Sequence, residues 1–174
     1  ARLFEAAATL GPVTGLVINA GITGPTSTIA ALEAAALDEV LAINVRGAFL
    51  TLREGARRMT AGGIVLVSSR AAGLGGPGEW VHYAASKGAI EAFVRGLSLE
   101  IPYGHARINA VAPGAVDTPM LWDNPNIKSG TEIVTGQVGT PGELAAAICF
   151  LASPEANFIN GTTLVVDGGR LAQL

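Results

Sequence analysis

Four short apolar runs constrain the fold of this chain more than any other feature. They are Gly15-Leu16-Val17-Ile18, Gly63-Ile64-Val65-Leu66-Val67, Arg107-Ile108-Asn109-Ala110-Val111-Ala112 and Thr163-Leu164-Val165-Val166. Each is rich in β-branched residues, too short for a helix, and closed by turn-forming residues: Asn19-Ala20-Gly21, Ser68-Ser69, Pro113-Gly114 and Asp167-Gly168-Gly169. The apolarity is nearly continuous, as in strands covered on both faces, and such strands belong to parallel sheets. Helical stretches separate them. This order predicts an α/β protein built on a doubly wound parallel sheet, whose ligands bind outside the carboxyl ends of the strands.

The length of 174 residues suits a single domain over 1–174, and 49% hydrophobic against 14% charged residues is the composition of a well-buried globule. A net charge of −3 gives no reason to expect nucleic acid or an anionic membrane as partner. No run is long and apolar enough to span a bilayer, and the start does not read as a signal peptide, so the expected location is the cytoplasm. Cys149 is the single cysteine, which excludes an intrachain disulfide; its apolar surroundings, Ala146 to Leu151, predict a buried, inert thiol. With His82 and His105 it makes no recognisable metal site.

The helices carry the polar residues that matter most. Ala1–Thr9 reads as amphipathic helix, Leu37–Thr60 as one long helix with Leu41, Val45, Ala48, Phe49 and Leu52 on its apolar face, and Pro141–Ala152 as another. In Tyr83-Ala84-Ala85-Ser86-Lys87 a phenol and an amine stand one helical turn apart on a common face. Alone, such a pair is usually a packed ring beside a solvated ammonium. In a sheltered cleft the ammonium would favour the phenolate; a move from about 10 to about 7 needs roughly 4 kcal/mol, and the phenol then becomes a general acid–base. Ser68 and Ser69 end an apolar strand, where a hydroxyl can bind a substrate oxygen. Asn44 interrupts the apolar run Val40–Val45, so its amide needs a partner. His82, though next to Tyr83, points elsewhere on a helix and is expected to be a bystander. His105 is expected at the surface.

Together these residues resemble the short-chain dehydrogenase/reductase family, and the resemblance runs from Ile18-Asn19-Ala20-Gly21 to Val166-Asp167-Gly168-Gly169. Its strongest signatures are the Tyr83–Lys87 segment and Ala112-Pro113-Gly114-Ala115-Val116-Asp117-Thr118. It implies a Rossmann-like fold and an NAD(P)-dependent oxidoreductase that interconverts a carbonyl and an alcohol on a small-molecule substrate. It also implies a homo-oligomer, dimer or tetramer. The family's catalytic residues would be Asn44, Ser69, Tyr83 and Lys87; the strand-end pattern favours Ser69, and a loop one residue longer than the commonest spacing leaves Ser68 as the alternative. NAD or NADP would be held by Asn19, Ala20, Gly21, Tyr83, Lys87, Pro113, Gly114, Val116 and Thr118. Ile18 stands where the family has a first asparagine. The resemblance makes Met120–Val138 the substrate-covering stretch, with Met120, Leu121 and Trp122 facing the substrate, and Gly73–Gly78 an active-site loop.

No glycine-rich turn precedes a helix near the start, so the chain is expected to begin mid-fold, short of two βα units of roughly 60 residues. An apolar strand edge would then lie open and favour association. Two other readings compete with the redox one: ester hydrolysis by Ser69, for which no Gly-x-Ser-x-Gly elbow or Ser-x-x-Lys pattern is present, and a non-catalytic association module. The side chain that chooses between NAD and NADP normally follows a strand outside this sequence.

Overall fold

The computed structural model of the chain describes residues 2–76, 79–128 and 137–169. All four expected strands form: β1 (Gly15–Ile18), β2 (Gly63–Val67), β3 (Arg107–Pro113) and β4 (Thr163–Val166). They lie side by side in the order β1-β2-β3-β4, every pair parallel, with Val17 opposite Val65, Val65 opposite Asn109 and Ala112 opposite Val165. Every residue of β3 is buried, and so are Gly63–Leu66 of β2. The edge strands β1 and β4 are partly exposed.

Alternation along β2 divides the core into two layers. Ile64 and Leu66 pack with Ile18, Leu52, Ile90, Val94 and Ile108, while Val65 turns to the other face and joins Val111 and Leu151. The first layer lies under α3 (Ala48–Arg58) and α5 (Val81–Glu100), the second under α8 (Pro141–Ala152). Helix α8 approaches closely because residue 63 is glycine: a Cβ there would stand 2.7 Å from the Cα of Ala152. Its start is fixed by a capping box, with the Glu143 N–H donating to Thr140 Oγ1 and the Thr140 N–H to Glu143 Oε2. Buried Arg107 closes its other end, donating to the carbonyls of Leu151 and Ser153. Helix α5 ends at Glu100, ahead of Ile101-Pro102, where the proline forbids continuation. The remaining helices, α1 (Arg2–Ala8), α4 (Ala71–Leu74), α6 (Pro119–Trp122) and α7 (Pro125–Lys128), are short.

Three expectations change. The long helix runs as α2 (Ala34–Val40), a π-helical stretch (Leu41–Gly47) and then α3, so the wider turn resets its faces. Ala48 and Leu52 are buried, but Leu41 and Phe49 are exposed, Phe49 meeting Phe93 edge-on at 5.7 Å. Glu54 is buried among Arg53, Arg57 and Arg58 at 3.3–3.6 Å. Cys149 is exposed: α8 turns Leu151 inward and leaves Cys149 and Phe150 outside. No helix among the described residues is long and apolar enough to cross a membrane.

Candidate active site

A cavity of about 500 Å³ opens at the carboxyl ends of the strands. The turns after β1, β2 and β3 all reach it because parallel strands deliver their turns to one edge. Asn19, Ala20 and Gly21 follow β1; Ser69 follows β2; Pro113, Gly114, Val116 and Thr118 follow β3; Tyr83 and Lys87 reach it from the first turns of α5. Among the expected catalytic and cofactor-holding residues, Asn44 alone stands behind the wall.

The two serines separate clearly. Ser68 borders the cavity but is buried, and its single hydroxyl proton is shared between Glu91 Oε1 (3.1 Å) and Lys87 O (3.3 Å). Ser69 and Tyr83 line the cavity together, where the serine side chain acts on the phenol, and Ser69 Oγ accepts the Ala71 N–H at 3.1 Å. Lys87 Nζ donates to Val67 O at 2.8 Å and lies 5.7 Å from the centre of the Tyr83 ring. Only glycine fits at 21 without crowding it: a Cβ there would stand 3.2 Å from Asn44 Oδ1 and 3.3 Å from Lys87 Nζ.

Both amide protons of Asn44 are used, and its oxygen accepts once. Its Oδ1 accepts the Ile22 N–H and its Nδ2 donates to Ile22 O, both at 2.8 Å, and Nδ2 also donates to Ser86 Oγ at 2.9 Å. The π-helical turn aims this amide at the loop and at α5 together. His82 grips the same loop from the far side: buried, its Nε2 stands 3.1 Å from Thr23 O, which requires the tautomer protonated on Nε2. It is therefore a structural tie. His105 is exposed, as expected.

The electrostatics correct one expectation. Burial raises the Tyr83 pKa, and the neighbouring Ser69 side chain offsets this only in part. Burial also pulls the Lys87 amine down, to about 8. In this state the phenol is a firmly protonated acid and the lysine is the group that titrates near neutrality.

Met120 and Leu121 line the cavity, but Trp122 does not; its indole N–H donates to Asp117 Oδ1 at 2.7 Å. Within the glycine stretch, Gly73–Gly76 stay off the wall, where Ala71 and Trp80 stand, and Pro77 and Gly78 lie outside the described residues. Residues 129–136 of the expected covering stretch lie outside them too. Sequence reasoning missed Thr23, Trp80 and Leu144 on the wall. Trp80 had a signal: three residues before Tyr83, it meets that ring edge-on at 6.2 Å. No cluster of His, Cys, Asp or Glu among the described residues is placed to hold a metal.

A parallel sheet between two helical layers, with its cavity at the strand ends, is a Rossmann-like α/β fold. The protein family described as Enoyl-(Acyl carrier protein) reductase matches residues 1–170. Uncharacterized oxidoreductase YgfF of Escherichia coli (strain K12) is 40% identical over 171 residues, 91% of this chain and 68% of that protein. The crystal structure of levodione reductase superposes with a TM-score of 0.88 at 33% identity, covering 99% of this chain and 73% of that one. That of 3-ketoacyl-(acyl-carrier-protein) reductase from Brucella melitensis, complexed with NADH, does so at 0.86 and 31%, covering 97% and 72%. The chain belongs to the short-chain dehydrogenase/reductase family. Its members are oxidoreductases, and neighbours of this fold have been solved with NADH and with NADP bound. The chain spans about two thirds of the length of the curated relatives it matches.

Proposed function

We propose that this protein interconverts a carbonyl and an alcohol on a small molecule, using NAD or NADP, with Tyr83, Lys87, Ser69 and Asn44 as its proton-handling group. The observation that carries this reading is the meeting of Ser69, Tyr83 and Lys87 around one cavity at the strand ends. The residues fit a nicotinamide dinucleotide. Gly21 and Gly114 leave their corners of the wall without side chains, and the Lys87 amine reaches the corner at Gly21. Asn19, Ala20, Gly21, Pro113, Gly114, Val116 and Thr118 would hold the cofactor by backbone and hydroxyl contacts, and Lys87 its ribose. Bound there, the cofactor supplies or accepts the hydride.

The chain's own residues do the rest. Ser69 binds the substrate oxygen. Tyr83, kept protonated by burial, gives its proton to that oxygen as the carbonyl carbon is reduced, and takes one back in the reverse direction. Lys87 stabilises the phenolate left behind and returns the proton. Asn44 holds the loop at Ile22 and, beside the lysine amine, anchors the water through which protons leave. Met120, Leu121 and Trp80 make the substrate end of the cavity apolar. Self-association belongs to the same proposal, since Val17 on β1 and Leu164 and Val165 on β4 leave apolar edges exposed.

The test is loss of reduced-nicotinamide absorbance with a panel of carbonyl compounds. Turnover is expected in the native protein, with Tyr83→Phe lowering kcat about 100- to 10,000-fold. Ester cleavage without nicotinamide oxidation would overturn the assignment.

A further inference from the structure

The turn Pro113–Gly114 is gripped from two sides by residues that do not line the cavity. The Arg70 N–H, just beyond β2, donates to Pro113 O at 2.9 Å, and the Gly114 N–H donates to Val166 O, at the end of β4, at 3.0 Å. The packing there is tight: a Cβ on residue 114 would lie 2.7 Å from the Cβ of Asp167. The side chains of Arg70 and Asp167 then meet across the turn, Nε 3.2 Å from Oδ2. The Asp167 side chain is only 6% exposed, and its other oxygen accepts the Gly169 N–H at 2.9 Å. Arg70 Nε is buried and finds no aligned hydrogen bond, so ionic attraction holds the contact.

We propose that Arg70 and Asp167 are positioning residues: their ion pair is a strut across the ends of β2, β3 and β4 that sets the turn at the height the cofactor requires. The inference rests on the assignment of that turn to the cofactor. Its physical basis is the shielding of the carboxylate. The shielded carboxylate holds the partly exposed guanidinium in place, and removal of Arg70 leaves that carboxylate with only the Gly169 N–H to meet it. The backbone bonds alone leave the turn free to tilt with either flanking segment; the strut ties those segments to each other.

The experiment compares Arg70→Met, Arg70→Lys, Asp167→Asn and the double variant Arg70→Met/Asp167→Asn with the native protein. It reads KM for cofactor, KM for substrate, kcat and Tm. Arg70→Met is expected to raise the cofactor KM about tenfold, with the substrate KM within about twofold. Arg70→Lys should recover most of the loss. The double variant should be no worse than Arg70→Met, because both act through one contact. Asp167→Asn keeps the shape of the site if Arg70→Met folds poorly. An unchanged cofactor KM in folded Arg70→Met or Asp167→Asn, or a fall in kcat alone that tracks Tm, overturns the strut. If the native protein uses no nicotinamide cofactor, the proposed function falls and the strut with it.

Discussion

Replacing Lys87 by methionine should destroy activity and make the protein more stable. Lys87 is 5% exposed, and burial brings the pKa of its amine from 10.5 to about 8. At about 1.4 kcal/mol per unit, holding it charged at pH 7 costs about 3 kcal/mol relative to the unfolded chain. Methionine removes that cost and nearly matches the volume. It also removes the 2.8 Å hydrogen bond to Val67 O, a loss of about 1–2 kcal/mol. The net gain is about 1–2 kcal/mol, or about 3–6 °C in Tm for a chain of this size. The pH dependence distinguishes the mechanism. A lysine depressed on folding holds fewer protons folded than unfolded between pH 8 and 10.5, so native stability must climb with pH across that window. The variant should lack the climb. The Tyr83 pKa is raised on folding, so its contribution is intact below about 10 and disappears only above that, in both proteins. Thermal unfolding followed by circular dichroism from pH 7 to 9.5 reads this directly. A variant that melts below the native protein at pH 7, or a native curve without the climb, would refute the reasoning.

Ser69→Ala should lower kcat about 10- to 100-fold at unchanged Tm, whereas Ser68→Ala, which loses bonds to Glu91 and Lys87 O, should lower Tm and leave kcat near native; steady-state kinetics with melting curves separates the two. Carbonyl reduction should decline above about pH 8, as Lys87 loses the proton that steadies the phenolate, and a pH–rate profile locates that limb. Gly114→Ala should destabilise by about 1–3 kcal/mol, because the new Cβ meets the Asp167 Cβ at 2.7 Å and its Cα at 3.0 Å, and denaturant titration measures it. Sedimentation velocity tests self-association: a monodisperse monomer contradicts the reading of the exposed edges.

Much of the architecture was legible because it depends on local pattern. Four apolar runs ended by turn residues give four parallel strands, and their turns then share an edge whatever else the chain does. Tyr83 and Lys87 fall on one face of α5 by helical spacing alone, which brought both to the cavity. Less legible were features where neighbours in sequence part company in space. Ser68 and Ser69 look alike on paper, but successive residues leaving a strand point to opposite sides, so one buries against α5 and the other meets the phenol. Cys149 sits in a run apolar all round, which hides which side faces out.

Strand and helix periodicity are short-range properties, and they set the elements, the parallel sheet and the location of the cavity. Charge state and loop position are different, because they come from desolvation and from contacts between distant segments. That Tyr83 is raised rather than lowered, that Asn44 and His82 close on one loop from two elements, and that Arg70 finds Asp167 across the strand ends were settled by packing. The reason is that a group's energy in a protein depends on what has replaced its water, and only the assembled core determines that.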